Sequence, residues 1–400
     1  MLKIFIPICL LLVISTSAAF AAENAPVPFQ IHTIDENADM WWARVLVDLN
    51  GDGLIDIALQ NNNARGGWLG WLEASDGGKK WKRNIIAETA PNGEAFASGD
   101  LDAGDIDGDG DIDIIAVAHT GEWDDGGGPS TIYWYENPSW KAHKIGEAMG
   151  FVKDFNLVDF NKDGKLDLCA GVFATNTLTI IRQDSPAKWT TVHQIKIHNL
   201  HEGMDTGDID GDGDNDIAAN GYWIESPGGN LANDWAVHLI NKKWNNQDGD
   251  WSRNATKNFC RDIDGDGRAE VFISHSERSG YPVAYYSAKD PKVGPWDEHI
   301  LLTELVAGHT LQVFDFDNDG DFDILTGINK NRAKGLEVNE WPVMLLLNQG
   351  DNKTWSKQSL TNDGIYNGQA ADFDGDGDID ILRLQTHDGK QLEAWMNQTK

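Results

Sequence analysis

The chain has 400 residues, with 32 Lys and Arg against 64 Asp and Glu, and a formal charge of −32 with His neutral. That charge excludes the basic footprint that nucleic-acid binding requires, and an anionic membrane surface would repel it. With 40% hydrophobic and 10% aromatic residues, including 17 Trp, the chain is too rich in large apolar groups for an acidic disordered protein and can bury a large core.

Residues 1–22 read as a secretion signal: Lys3, an apolar run from Ile4 to Ile14, then small residues up to Ala22. No later segment approaches the roughly 20 apolar residues of a membrane span. The expectation is a secreted or periplasmic protein with no membrane insertion. Once the signal and Cys9 are removed, Cys169 and Cys260 remain. Each lies in an apolar run and is expected to be a buried thiol.

From residue 23 to 400 one nine-residue motif returns seven times, beginning at Asp48, Asp105, Asp159, Asp208, Asp262, Asp315 and Asp372. Even spacing over the whole stretch implies one architecture of seven similar units. Gly stands at position 6 in every copy. Positions 1, 3, 5 and 9 offer side-chain oxygens. In chain order these are Asp48, Asn50, Asp52 and Asp56; Asp105, Asp107, Asp109 and Asp113; Asp159, Asn161, Asp163 and Asp167. The later copies supply Asp208, Asp210, Asp212 and Asp216; Asp262, Asp264, Asp266 and Glu270; Asp315, Asp317, Asp319 and Asp323; Asp372, Asp374, Asp376 and Asp380.

Carboxylates at 1, 3 and 5 with Gly at 6 match the first half of an EF-hand loop, in which position 7 gives its backbone carbonyl to Ca²⁺. Here position 7 is Leu54, Asp111, Lys165, Asp214, Arg268, Asp321 and Asp378. The second half of an EF-hand is missing, since position 12 is Leu59, Ala116, Ala219 or Thr326 where a bidentate Glu is needed. These are therefore nine-residue loops between strands, holding up to seven structural Ca²⁺. Asp-Gly clusters also make ordinary β-turns, but seven in register argue for the ion. Lys165, Arg268 and Lys162 are expected to weaken copies three and five.

A second repeat runs out of phase. Trp140 to His143, Trp235 to His238 and Trp296 to His299 share a W-x-x-H pattern. Trp81 to Asn84 and Trp355 to Gln358 are variants, Trp189 reaches His193 with one extra residue, and Phe29 to His32 is degenerate. A Trp- or Tyr-bearing strand lies between the two motifs, so each unit reads as four short strands. The strand-borne His residues recur with the unit and are expected to be structural.

Such units repeated in a ring make an all-β fold, a seven-bladed β-propeller of four-stranded blades. After the last loop only two strands remain, whereas Phe29 to Ile34 precedes the first loop as an orphan. The N-terminal strand is therefore expected to complete the C-terminal blade and close the ring.

The DxDGDGxxD loops and W-x-x-H strands resemble the FG-GAP or VCBS repeat family of secreted, calcium-binding, seven-bladed propellers. The resemblance covers about residues 28 to 400 and implies the fold more than the activity. Members act as adhesion or lectin-like domains, and similar propellers occur in polysaccharide lyases and an aldos-2-ulose dehydratase.

With the acidic loops joining strands 1 and 2, the opposite face gathers the 4–1 connections and the 2–3 loops. It carries His119, Glu122, Trp123, Glu202, Tyr222, Trp251, His275, Glu277, Arg278, Asn329 and Asn367 as candidate ligand-binding residues, and His201, His309, Arg253 and Tyr366 as candidate catalysts. Aromatic rings beside His, Arg and carboxylates suit a carbohydrate, rings stacking on sugar faces and charged groups bonding hydroxyls or uronates. The leading expectation is an extracellular glycan or polysaccharide as partner. The alternatives are a lyase or dehydratase in which His abstracts a proton beside a carboxylate or carbonyl, and a protein-adhesion module. The sequence contains no nucleophile elbow, phosphate loop, HExxH site or dinucleotide fingerprint.

Overall fold

The computed structural model describes residues 25–39, 41–61, 67–119, 128–172, 175–247, 254–336, 338–387 and 389–400. The expected secretion signal at 1–22 lies outside them.

Seven separate four-stranded antiparallel sheets form the blades. Blade 1 runs Ala43–Val47, Asp56–Gln60, Leu69–Ser75 and Lys80–Ala87, and blade 2 Asp102–Gly104, Asp113–Ala118, Pro129–Glu136 and Lys141–Met149. Blades 3 and 4 run Val152–Val158, Asp167–Val172, Thr177–Ser185, Lys188–Lys196, and Met204–Gly207, Asp216–Ala219, Tyr222–Glu225, Ala236–Leu239. Blades 5 and 6 comprise Thr256–Arg261, Glu270–His275, Val283–Ser287, Asp297–Leu302, and Gly308–Phe314, Asp323–Ile328, Val343–Asn348, Trp355–Thr361. Blade 7 combines Gln369–Ala371, Asp380–Leu384 and Leu392–Asn397 with Phe29–Asp35 from the other end of the chain. Phe29 pairs with Asn397 and Ile31 with Trp395, so the N-terminal strand closes the ring as its orphan position implied. The first strands touch one another in ring order, Ala43–Val47 meeting Gln369–Ala371 at the seam.

Second strands are buried throughout, as in Asp113–Ala118 and Asp323–Ile328, because blades cover both their faces; fourth strands alternate toward solvent. The cores lie between blades. One joins Trp42 and Leu69 of blade 1 to Ile114 and Tyr133 of blade 2, and another joins Trp395 of blade 7 to Leu345 of blade 6.

The W-x-x-H histidines pack on the third-strand aromatics. His143 stacks on Trp134 with centroids 4.3 Å apart and bonds Glu136 at 2.8 Å. His238 repeats this with Trp223 and Glu225, and His299 stacks on Tyr285. In blade 3 a bulge absorbs the extra residue between Trp189 and His193, pairing Ile180 with His193 but Ile181 with Thr191. Cys169 is buried and Cys260 half-buried, both free thiols.

All seven acidic loops link first to second strands, and position 9 is the first residue of the second strand in each. Gly at position 6 has a φ between 80° (Gly164) and 98° (Gly110), the left-handed region that a side chain resists. Two features escape a ligand-centred reading of the motif. Position 2 is apolar and buried in most copies, as with Phe160, Ile209, Phe316 and Phe373 at 0% exposure. Position 9 accepts two backbone N–H groups: Asp113 takes Ile106 N–H at 3.0 Å and Asn137 N–H at 2.8 Å, the latter from the end of the third strand.

The end of a third strand also reaches the previous blade's loop. Asn137 Nδ2 donates to Leu49 O at 2.7 Å, Gln183 Nε2 to Ile106 O at 2.7 Å and Asn397 Nδ2 to Phe316 O at 2.8 Å. Asn137→Ala leaves a buried carbonyl in the neighbouring blade without its donor. The expected loss is about 1–3 kcal/mol, read as a lower urea midpoint at unchanged slope.

Candidate functional site

Because strand 1 runs toward the acidic loop in every blade, its start lies on the opposite face, where the 4–1 connections and 2–3 loops converge on the axis. There the first strands enclose a cavity of about 150 Å³. Its wall includes Trp42, Arg44, Asp100, Asp154, Lys257 and His309, with Asn258, Gln312, Asn367 and Gln369 adding amides.

Glu202 from the blade 3 to blade 4 connection, Glu277 from the 2–3 loop of blade 5 and His309 from the first strand of blade 6 meet at its edge, all buried. His309 Nε2 lies 3.5 Å from Glu202 Oε1 and 3.3 Å from Glu277 Oε1. Lys153 Nζ holds Glu202 Oε2 at 3.0 Å, Ser276 Oγ donates to Glu202 Oε1 at 2.5 Å, and Arg332 Nε holds Glu277 Oε2 at 2.9 Å. Burial by itself would raise the Glu202 carboxyl. Lys153, Lys257, His309 and His201 outweigh it and keep the group well below the usual carboxylate range. The Tyr366 ring lies over His309 with centroids 4.3 Å apart. Burial, followed by Glu202 and Glu277, raises its phenol well above the ordinary value.

His275 is buried, and its Nδ1 accepts the Glu277 N–H at 3.2 Å. Burial, with Arg278 next, pushes its pKa down to about 3, so the ring is neutral. His201 is buried in the connection beside Glu202, its N–H donated to Asn220 Oδ1 at 3.2 Å. Arg44 is buried at the blade 7 to blade 1 seam and donates to the carbonyls of Trp41, Tyr366 and Asn367. In the wall, burial and then Asp154 raise Asp100 to about 8.

Of the candidate residues, His201, Glu202, His275, Glu277, Arg278, His309, Tyr366 and Asn367 lie at this end of the ring axis. His119 instead sits at a blade 2 strand end, bonding Ser130 Oγ at 3.1 Å and meeting Phe151 edge-on. Tyr222 packs on the core between blades 3 and 4. Asn329 caps the short helix Lys330–Lys334 through the Asn331 N–H. Glu122, Trp123, Trp251 and Arg253 lie outside the described residues. Lys153, Lys257 and Arg332 were not among the candidates. The first two are charges inside innermost strands, and the third lies on the short helix within the long 2–3 connection of blade 6; those were the available signals.

On the other face, carboxylate oxygens of positions 1, 3 and 9 approach within 4.8 Å of one another in the second, fourth, fifth and sixth loops. Position 1 accepts the N–H groups of positions 4 and 6, as Asp105 does from Gly108 and Gly110. Lys165 pairs with Asp163 at 2.6 Å and Arg268 with Asp266, so these position-7 cations occupy carboxylates of their own loops.

Fold and loops together define an acidic-loop, seven-bladed β-propeller. A model described as an FG-GAP-like repeat matches residues 48–116, 105–170, 159–219 and 262–326, more than half of the chain, which belongs to that family. No curated protein matches the sequence. Among solved structures the chain is similar to BBS1N in complex with ARL6DN, soaked with mercury, at 11% identity and a TM-score of 0.54, covering 92% of this chain and 95% of that one. The lead-soaked form of that complex gives 10%, 0.52, and the same coverages of 92% and 95%. The exotype rhamnogalacturonan lyase YesX gives 13% identity and a TM-score of 0.49 over 92% of this chain and 72% of that one. These likenesses concern the fold. No helix among the described residues is long and apolar enough to cross a membrane.

Proposed function

We propose that the protein is exported, that its acidic loops hold structural Ca²⁺ through positions 1, 3, 5, 7 and 9, and that its opposite face binds an extracellular carbohydrate at the mouth of the central cavity. The observation that carries the binding reading is the cavity wall. Paired donors and acceptors from Arg44, Lys257, Asp100, Asp154, Asn258 and Gln312 surround a small space, with Trp42, Met204 and Leu311 as its apolar members. That wall suits a ligand dense in hydroxyls. A cavity of about 150 Å³ is smaller than the roughly 300–1,000 Å³ of ordinary ligand clefts, so it takes one terminal sugar unit rather than a run of chain.

A second reading, a lyase or dehydratase, is favoured by the buried Glu202, Glu277 and His309 at the cavity edge, with the half-buried Tyr366 ring over His309. One experiment separates the two: incubation of the Ca²⁺-loaded protein with neutral and uronate-containing polysaccharides, recording retention, new ultraviolet absorbance from unsaturated product, and reducing ends. The expected result is retention that weakens at least tenfold in Lys257→Met at an unchanged melting temperature. Product formed by the wild type and lost in that variant would replace binding by catalysis. Neither retention nor product would overturn both readings and leave a protein partner.

A further inference from the structure

The Glu202, Glu277 and His309 cluster is built differently from the loops. Its carboxylates are 4% and 6% exposed and its imidazole 1%, and the three arrive from separate blades rather than one turn. Neither ring nitrogen of His309 has a hydrogen-bond partner among the described residues. A buried imidazole in that state calls for an explanation.

The distances supply one. Nε2 faces the two Oε1 atoms at 3.5 and 3.3 Å, longer than good N–H···O bonds of about 2.7–3.2 Å. Donor atoms sharing a tetrahedral cation with bonds of about 2.0–2.2 Å stand about 3.4 Å apart, the edge of that polyhedron. The outer oxygens are already engaged, Glu202 Oε2 by Lys153 and Glu277 Oε2 by Arg332. Each carboxylate is thus oriented by a partner behind it and presents its inner oxygen, as supporting residues do around metal ligands. Glu202 Oε1 also accepts from Ser276 Oγ, which leaves it a second lone pair. His309 itself lines the cavity, so a fourth coordination position would open to a ligand.

We propose that Glu202 Oε1, Glu277 Oε1 and His309 Nε2 bind one first-row divalent cation of the zinc type, with an open position facing the cavity. One imidazole with two carboxylates selects such an ion over Ca²⁺, which takes oxygen ligands alone. The assignment goes beyond carbohydrate binding and does not depend on it. The ion would give the cavity a Lewis-acidic centre for a hydroxyl or carboxylate oxygen.

Co²⁺ is the probe, added to protein kept in excess Ca²⁺ so that the acidic loops are filled. The expected result is one equivalent bound with a visible ligand-field band, displaced by Zn²⁺. His309→Ala and Glu277→Gln are each expected to lose at least 100-fold in affinity. Absence of the band in the wild type, or an undiminished band in His309→Ala, overturns the site and leaves His309 a bridge between carboxylates. Should either variant misfold, anomalous diffraction from Zn²⁺-soaked wild-type crystals decides. A peak bonded to these three atoms supports the site, and a peak elsewhere or none overturns it.

Discussion

Removal of Ca²⁺ is expected to lower the melting temperature by on the order of 10–30 °C. An ion that binds only the folded state at 100 times its Kd adds about 2.7 kcal/mol, and several such loops together rival the 5–15 kcal/mol that stabilises an ordinary domain. The geometry shows why the metal-free loop is costly. In the loop at Asp208, Asp210 and Asp216 bring oxygens close to Asp208. Burial, and then neighbours including Asp210 and Asp212, raise Asp216 to about 8 against the opposing hydrogen bonds from Ser226 and Ile209. The same causes raise Asp323 to about 8, Asp56 and Asp380 to about 7, and Asp113 to about 6.

The sign of the pH effect follows. A carboxyl whose folded pKa is raised contributes stability below its unfolded pKa near about 4 and loses it as pH climbs through the folded value. Metal-free protein should therefore weaken from about pH 5 to about pH 8, while the Ca²⁺-bound form, whose ligands must be deprotonated, gains. Calorimetry of dialysed protein with and without Ca²⁺ should show the gap widening with pH. Equal melting temperatures in both states at pH 8 would sink the structural-ion reading. Asp216→Asn should remove more of the gap than Asp163→Asn, because Lys165 already sits on Asp163.

The ring was legible because a metal motif and an aromatic motif repeat out of phase, which counts the strands as well as the blades. The face opposite the loops was legible too, since strand order alone sends His201, Glu202, Glu277, His309 and Tyr366 to one end of the axis. What strand order does not specify is which side chains of an innermost strand turn toward the channel. Lys153 and Lys257 therefore escaped notice, although they hold the charge of the site. Similarly, His119 and Tyr222 occupy the right loops but turn into interblade packing. Within the acidic motif, ligand counting singles out positions 1, 3, 5 and 9 and passes over position 2, whose burial pins most of the loops to the core.

Deleting residues 25–35 is expected to cost the whole ring rather than one strand. Phe29–Asp35 covers Leu392–Asn397, a strand buried at every position, and its loss bares a long apolar edge of the kind that pairs with other chains. The segment also ties blade 7 to both neighbours. Val27 exchanges two hydrogen bonds with the Gln358 side chain of blade 6, at 2.8 and 2.7 Å. On the other side Asp35 bonds Arg83 of blade 1 at 2.7 Å, and that guanidinium lies 4.7 Å over the Trp41 ring. Blade cores are shared between neighbours, so a frayed blade 7 exposes the cores toward blades 6 and 1. The truncated chain should elute as aggregate, or melt at least about 10 °C lower, a shift of several kcal/mol for a chain of this size. A synthetic peptide spanning residues 25–38 should restore the monomer by adding the missing strand in trans. A truncated chain that stays monomeric with an unchanged melting temperature would show that the interblade cores alone hold the ring.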